Sequence, residues 1–231
     1  MKKFICIIVL IITSITTIAE TVNVFVKGNG NIKDFIIGRY EVTQAEYRTV
    51  MGYNPSYFKG DNLPVESVTW YDAVIYCNKL SEKENLPKYY DITNIKKDGN
   101  NITDATVKII GGQGYRVPTD EEWEYAAKGG NKSSGYQYSG SNVIDDVAWY
   151  DGNSGETTHP VGQKKSNELG IYDMSGNVSE WTETNYESFL SYFRGGSWYY
   201  YKSRCEVVSQ YNFNANFRFN DLGFRVCRIL D

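Results

Sequence analysis

The shortness of the regular segments limits the possible folds of this chain more than any other feature. Helical periodicity begins three times with a Thr followed three residues later by Asp or Glu, the capping box in which both side chains bind free backbone amides. The motif occurs at Thr43 with Glu46, Thr69 with Asp72, and Thr119 with Glu122. We predict that the first helix stops at Gly52 and the third at Gly129-Gly130, because glycine readily adopts the left-handed cap conformation.

The other regular segments are short extended runs bounded by Gly, Asn and Asp. They cover residues 35–42, 106–110, 147–150, 193–198 and 222–229. Few helices, short strands and long ordered loops predict a single α+β domain of irregular type. Loop backbone that is buried needs hydrogen-bond partners, and tryptophan offers a large apolar ring with one donor. We therefore expect four tryptophans in the core: Trp123, Trp149, Trp181 and Trp198.

Charge and histidine content exclude several classes of function. The formal net charge is −4 and no stripe of Lys and Arg is present, so we expect no nucleic-acid partner. His159 is the only histidine, which excludes sites that need two, such as the H-E-x-x-H zinc proteases. We expect His159 itself to pack within a loop.

The N-terminal residues have the pattern of a signal peptide. Two lysines precede an apolar run from Phe4 to Ile12, and small polar residues follow up to Ala19. The run is shorter than the roughly 20 residues that span a bilayer. We predict a signal peptide over residues 1–19 and one domain over residues 20–231, in a secreted or periplasmic protein without a membrane anchor after signal removal. A buried N-terminal strand is the alternative.

A series of ordered blocks rich in Gly, Trp and Arg runs through the predicted domain. They include Gly38-Arg39-Tyr40-Glu41-Val42-Thr43, Asn54-Pro55-Ser56-Tyr57-Phe58, Tyr115-Arg116-Val117-Pro118-Thr119, Gly176-Asn177-Val178-Ser179-Glu180-Trp181, Arg194-Gly195-Gly196-Ser197-Trp198 and Gly223-Phe224-Arg225. Together these blocks resemble the formylglycine-generating enzyme, or sulfatase-modifying factor, family over nearly the whole domain. The resemblance implies a C-type-lectin-like fold, which agrees with the irregular α+β prediction.

The resemblance implies an oxidase activity for which this chain has only part of the machinery. Enzymes of the family convert a sulfatase cysteine to formylglycine with copper held by two neighbouring cysteines, because two thiolates form a soft site for Cu(I). Between Ser197 and Leu222 the chain has one cysteine, Cys205, which matches either the second active cysteine or a structural cysteine of the family. Formylglycine synthesis with copper is therefore the alternative function, with Cys205 as its catalytic candidate.

The resemblance also implies a disulfide bond and calcium. Cys77 corresponds to a helix cysteine that pairs, in the family, with a cysteine just after Gly-Phe-Arg, so a bond from Cys77 to Cys227 is expected. The turn at Gly176 resembles a calcium loop of the family, in which side-chain and carbonyl oxygens bind the ion. The expected calcium ligands are Asn177 and Glu180, with Asp151 and Asn153 in a second loop. A salt bridge is the alternative role for Glu180.

The segment between Trp198 and Asp221 interleaves aromatic residues with asparagine. Alternating asparagine is unusual in a strand, and adaptable polar residues among aromatic rings are typical of recognition surfaces, so we predict a loop surface. The segment resembles the region that retroelement-diversified lectin-like proteins vary to change their ligands. The predicted ligand-binding residues are Tyr199, Tyr200, Tyr201, Tyr211, Phe213, Asn214, Asn216, Phe217 and Phe219.

Packing in the core is an equal alternative for the tyrosines at 199–201, whereas recognition is favoured for residues 211–219. The leading hypothesis is an exported, calcium-stabilised binding module. Its expected partner is a protein or a glycan.

Overall fold

The computed structural model describes residues 23–183 and 190–230. The predicted signal peptide, residues 1–19, lies outside the described residues. None of the helices formed by the described part combines the length and the apolar character that a membrane span requires. The architecture is α+β, as predicted, with short helices and small sheets joined by long loops.

The three helices that the capping boxes predict are confirmed. They are α1 (Gln44–Met51), α2 (Trp70–Lys83) and α3 (Asp120–Ala127). In each helix the capping threonine side chain accepts from the backbone amide of the acidic residue three positions later, and that residue's carboxylate accepts from the threonine amide. Helix α1 ends at Gly52, whose φ of 87° is the left-handed conformation expected after a helix.

The strands are β1 (Asn23–Val26), β2 (Phe35–Gly38), β3 (Tyr90–Asp98), β4 (Asn101–Ile109), β5 (Ser179–Trp181), β6 (Leu190–Arg194), β7 (Gln210–Asn214), β8 (Leu222–Gly223) and β9 (Cys227–Ile229). Within the described ranges they form three sheets: β1-β2-β9, the hairpin β3-β4, and β7-β6-β5-β8. All neighbours pair antiparallel except β5 and β8, which are parallel. Strands β7 and β8 therefore lie at opposite edges of the third sheet.

Two predictions about local structure are wrong. Residues 147–150 were predicted as a strand, but Val147 is the last residue of the short helix α4 (Ile144–Val147) and residues 148–150 follow it without forming a strand. The helix closes with a bond from the Ala148 amide to the Ile144 carbonyl. Residues 211–214, predicted as a loop, belong to β7, where Tyr211 pairs with Phe193 of β6. Asparagine is tolerated there because an antiparallel strand at the edge of a sheet can leave one face in water.

The core is aromatic, as the sequence indicates. Trp123, Trp181 and Trp198 are buried, as predicted. Trp149 is half-buried and stacks on His159 with ring centroids 3.7 Å apart, which confirms that His159 packs within a loop.

Buried arginines tie the sequence blocks to one another. Arg225 forms an ion pair with Glu180 of β5 at 2.5 Å. Two others pair with carboxylates of α3: Arg116 with Glu122 at 2.6 Å, and Arg194 with Asp120 at 2.5 Å. Removing one partner of such a pair leaves an uncompensated buried charge and costs about 3–5 kcal/mol. These pairs fix the loops around the third sheet, from which the candidate site is built.

Candidate ligand-binding site

A surface cavity of about 870 Å³ lies beside the segment that follows Trp198. Its aromatic lining comes from two parts of the chain, Tyr57 with Phe58 and residues 198–201. Tyr199 and Tyr201 are 65% and 73% exposed, whereas the tyrosine between them is half-buried. The structure therefore places Tyr199 and Tyr201 on the surface, where a ligand can reach them, and not in the core.

Contacts around Trp198 fix the position of this cavity wall. The indole Nε1–H of Trp198 donates to the carbonyl of Asn220 at 3.0 Å, and the Ser154 hydroxyl donates to the carbonyl of Trp198 at 2.8 Å. Gly196 has a φ of +67°, and a Cβ there would lie 2.7 Å from the carbonyl oxygen of Arg204. Both the left-handed backbone and this close approach require glycine, so the wall begins at a tightly defined turn.

Contacts between rings join the two stretches of predicted ligand-binding residues. The ring centroids of Tyr200 and Tyr211 are 6.5 Å apart, and the Arg204 guanidinium lies 4.6 and 4.7 Å from them. Tyr211 contacts Phe193 at 5.8 Å, and Phe193 stacks on Phe213 at 5.9 Å. These contacts and the pairing of β6 with β7 bring Tyr199, Tyr200, Tyr211 and Phe213 into one row of rings.

Three phenylalanines, Phe213, Phe217 and Phe219, lie at the end of this row and form what we call the phenylalanine cluster. Their ring centroids are 5.3 to 5.8 Å apart, and each side chain is between 37% and 41% exposed. Asn214 and Asn216 are exposed beside them. Contiguous exposed apolar groups mark interaction sites, so this exposure favours recognition over core packing. The cavity wall, the row of rings and the phenylalanine cluster are together called the aromatic surface.

Arg218 lies between Phe217 and Phe219 in the sequence and attaches the loop after β7 to the rest of the fold. Its guanidinium donates to the Asn101 side-chain oxygen at 2.7 Å and to the carbonyl of Ile102 at 3.0 Å. It also lies 3.5 Å from the carboxylate of Asp72, a buried group whose pKa burial raises. The hairpin β3-β4 and the start of α2 therefore hold the loop that follows β7.

Sequence reasoning missed part of the cavity lining. Asp151, predicted as a calcium ligand, lines the cavity together with Glu156. Glu156 has a φ of 63°, which is uncommon for a residue other than glycine. Tyr57 and Phe58 belong to one of the conspicuous sequence blocks, but no local pattern indicates that they line the same cavity as Tyr199.

The described cysteines are free, buried thiols in three different hydrophobic clusters. The predicted disulfide between Cys77 and Cys227 is not formed in this structure. Cys77 packs in the cluster around α2, while the Cys227 sulfur lies 4.0 Å from the Glu122 carboxylate. Burial raises the pKa of Cys205 to about 12, so its neutral thiol prevails at pH 7, whereas copper binding and thiol exchange need a thiolate.

The turn predicted to bind calcium is held by protein contacts. The Glu180 carboxylate accepts from the Arg225 guanidinium at 2.5 and 2.6 Å and from the Trp123 indole at 2.7 Å. The Asn177 side chain accepts from a backbone amide at 2.9 Å and donates to the Glu41 carboxylate at 2.6 Å. These contacts do not fit the predicted calcium site, because a cation already neutralises Glu180. The salt-bridge alternative is the one that the structure shows.

The second predicted calcium loop also uses its side chain within the protein. The Asn153 side chain accepts from the Tyr150 amide and donates to the Asp145 carboxylate, both at 3.0 Å. Asp151 is exposed at the cavity. Across residues 23–183 and 190–230, no group of three or more His, Cys, Asp or Glu residues is arranged to hold a metal ion. Calcium binding stays a prediction from the sequence.

The fold and the sequence blocks together define the class of this protein. The family described as "Sulfatase-modifying factor enzyme 1-like domain" matches residues 19–230, so the chain belongs to this family. The resemblance inferred from the sequence blocks is thereby confirmed.

The chain is also similar to individual proteins of known sequence or structure. The chain is similar to the chaperone protein LppX of Paenibacillus barcinonensis, with 46% identity over 230 residues, 87% of this chain and 82% of the relative. Its structure is similar to that of Treponema denticola variable protein 1, with 33% identity, a TM-score of 0.73, and coverage of 90% and 92% of the two chains. It is also similar to CarF, with 31% identity, a TM-score of 0.75, and coverage of 90% and 98%. These structures confirm the predicted C-type-lectin-like fold.

Proposed function

We propose that this chain is an exported protein-binding module that holds partner polypeptides in an extended, non-native state on its aromatic surface. Similarity to a protein named as a chaperone and to one named as a variable protein supports the proposal. Non-native polypeptides expose the apolar side chains that folded proteins bury, so a module that binds them needs an exposed apolar surface of its own.

The observation that carries the proposal is the exposure of several aromatic rings around one cavity. Tyr57, Tyr199 and Tyr201 are 69%, 65% and 73% exposed around the cavity, and the phenylalanine cluster continues the surface. Covering a large apolar side chain contributes about 1.5–3 kcal/mol, so a ligand that covers several of these rings binds measurably. Because large interfaces depend on a few aromatic anchors, single substitutions here have large effects.

Two other functions have weaker support. A glycan is the alternative ligand, because Asp151 and Glu156 offer hydrogen-bond acceptors beside the aromatic faces of the cavity. Formylglycine synthesis needs a second thiolate beside Cys205, and the hydrophobic cluster that contains Cys205 holds no other described cysteine. The proposed function therefore does not include copper.

The first test measures binding of reduced, carboxymethylated α-lactalbumin, a protein that stays unfolded in native buffer. We expect Tyr201→Ala and Phe217→Ala each to weaken binding by about tenfold or more, because both side chains are large apolar anchors at exposed positions. The melting temperature should stay close to that of the unchanged protein, because neither ring is buried in the core. Fluorescence anisotropy of the labelled ligand and differential scanning calorimetry measure the two quantities.

Tyr136→Ala is the matched control, since Tyr136 is an exposed ring outside the aromatic surface, and it should leave binding unchanged. A large fall in melting temperature in the Tyr201 or Phe217 variant would assign the ring to the core. Absence of α-lactalbumin binding, together with capture of an oligosaccharide on a glycan array, would replace the protein ligand with a glycan.

A further inference from the structure

The edge strand β7 has an open side. It pairs with β6 over its whole length, from Gln210 opposite Arg194 to Asn214 opposite Leu190. Among the described residues, its one other backbone hydrogen bond is a turn contact in which the Asn214 carbonyl accepts from the Phe217 amide. Amide and carbonyl groups on the far side of β7 therefore face outward, as expected at the edge of a sheet.

Strand β7 lacks the features by which proteins usually protect an exposed edge. Such edges commonly carry charged residues or proline, or are very short. The sequence of β7 is Gln-Tyr-Asn-Phe-Asn, five residues with neither charge nor proline. At the opposite edge of the same sheet, β8 has two residues and both are buried. The edge at β7 is thus long and unprotected where the other edge is short and covered.

The two faces of β7 differ in chemistry. Tyr211 and Phe213 lie on one face because side chains alternate along a strand, and both contact the buried Phe193. Gln210, Asn212 and Asn214 lie on the other face and are exposed. A strand added beside β7 would place its own alternate side chains next to these two rows.

We propose that β7 binds an extended segment of the partner polypeptide as a fifth strand of this sheet, a mode that rests on the proposed function. Only another extended backbone supplies donors and acceptors at the spacing of the open edge. Apolar side chains of the segment lie against Tyr211 and Phe213, and neutral polar side chains lie beside the glutamine and asparagines. The segment recognised therefore alternates apolar and uncharged polar residues over about five positions.

The probe that tests this mode is a labelled decapeptide in which valine and threonine alternate, with lysine at both ends. Its comparison is a depsipeptide in which ester oxygens replace the central amide nitrogens, so that the side chains stay and the N–H donors are lost. We expect the depsipeptide to bind about tenfold or more weakly, because strand addition draws its affinity from main-chain hydrogen bonds. Hydrogen exchange at residues 210–214 should slow when the amide peptide binds.

Phe213→Ser should weaken binding of the amide peptide, because it removes one of the two apolar side chains on that face without altering the backbone. Phe25→Ser is the matched control, since Phe25 is 52% exposed on β1, the edge strand of another sheet. It should leave peptide binding unchanged.

Equal binding of the peptide and the depsipeptide, or unchanged exchange at β7 with peptide bound, would overturn strand addition. If α-lactalbumin still binds in a manner that depends on Tyr201 and Phe217, the proposed function survives that result. If α-lactalbumin does not bind at all, the result contradicts the proposed function itself, on which strand addition rests. A two-chain mass in light scattering that Phe213→Ser returns to one chain would show that the edge pairs with a second copy, which also overturns the proposal.

Discussion

Asp173 is a buried carboxylic acid whose charge the fold disfavours. It is 3% exposed, and burial raises its pKa to about 6, against the opposing effects of the Gly162 amide and Arg225. Glu180 adds to the rise, and Glu41, whose own pKa is raised by burial, lies close by. The folded state therefore holds the Asp173 proton more tightly than the unfolded chain does. Its contribution to stability is fully present below about pH 4 and is lost as pH rises through about 6.

We expect Asp173→Asn to raise the free energy of unfolding by about 1–3 kcal/mol above pH 7, because the variant buries no charge at that position. Asparagine keeps an oxygen for the Gly162 amide, which bonds to Asp173 at 2.7 Å, and it tolerates the φ of 58° found there. Urea unfolding between pH 4 and pH 8 measures the effect. The two proteins should become equally stable near pH 4, and a constant difference at every pH would contradict the argument.

At the scale of single residues, local chemistry is predictable from the sequence and long-range pairing is not. The capping threonines are confirmed because their partners lie three residues away. Glu180 could be interpreted as a calcium ligand or as half of a salt bridge, because its partner Arg225 lies 45 positions later in the chain. Nothing in the sequence around either residue specifies that contact.

At the scale of elements, the hairpin β3-β4 supports the loop after β7, which carries Phe217 and Phe219 of the phenylalanine cluster. We expect Arg218→Met to loosen this attachment and to lower the free energy of unfolding by about 1–3 kcal/mol, because hydrogen bonds and an ion-pair partner of buried Asp72 are lost. Hydrogen exchange in residues 90–109 should accelerate. Exchange mass spectrometry and urea unfolding measure these effects.

The hairpin contains a matched control for the Arg218 variant. Lys96 pairs with Asp104 at 2.7 Å on the same two strands, and both side chains are exposed to solvent. Because an exposed ion pair contributes little, Lys96→Met should leave both stability and exchange almost unchanged. Equal effects of the two substitutions would show that the hairpin responds to any lost charge and that Arg218 has no special role as an anchor.

Strand β7 shows why some elements could not be predicted. Its alternation of aromatic residues and asparagine has the period of a strand, but asparagine disfavours strands, and the composition suggested a loop. Pairing with β6 outweighs that propensity, because the Tyr211 and Phe213 rings pack on Phe193. The Phe217 amide does close a turn onto the Asn214 carbonyl, so the loop prediction is wrong for the strand and adequate for the turn after it.

At the scale of the whole molecule, the Arg225–Glu180 ion pair engages the carboxylate that the family resemblance assigns to calcium, whose binding stays a prediction. An ion present at one hundred times its Kd would stabilise the domain by about 2.7 kcal/mol and raise its melting temperature by several degrees. We expect the melting temperature in EDTA to equal that in millimolar calcium, because Arg225 already supplies the positive charge beside Glu180. Calorimetry checks this, and a rise that calcium produces and magnesium does not would restore the predicted site.

The overall fold could be predicted from the sequence because many blocks stand in family order, while the shape of the site could not. The cavity brings together Tyr57 and Tyr199, which are far apart in the sequence. The row of rings brings Tyr200 beside Tyr211 and depends on Phe193 of β6. Both arrangements depend on how distant segments pack. Composition predicted which residues take part in recognition, a role that stays a prediction, and tertiary structure was needed to show that these residues lie on one surface.

The buried arginines have a consequence for how such a domain can change over generations. Since they hold the framework from inside, residues such as Tyr199, Tyr201 and Phe217 have little part in maintaining the backbone. Under the proposed function, replacing them alters affinity at small cost to folding. A lineage built on this framework can therefore acquire new specificities one residue at a time, with every intermediate still folded.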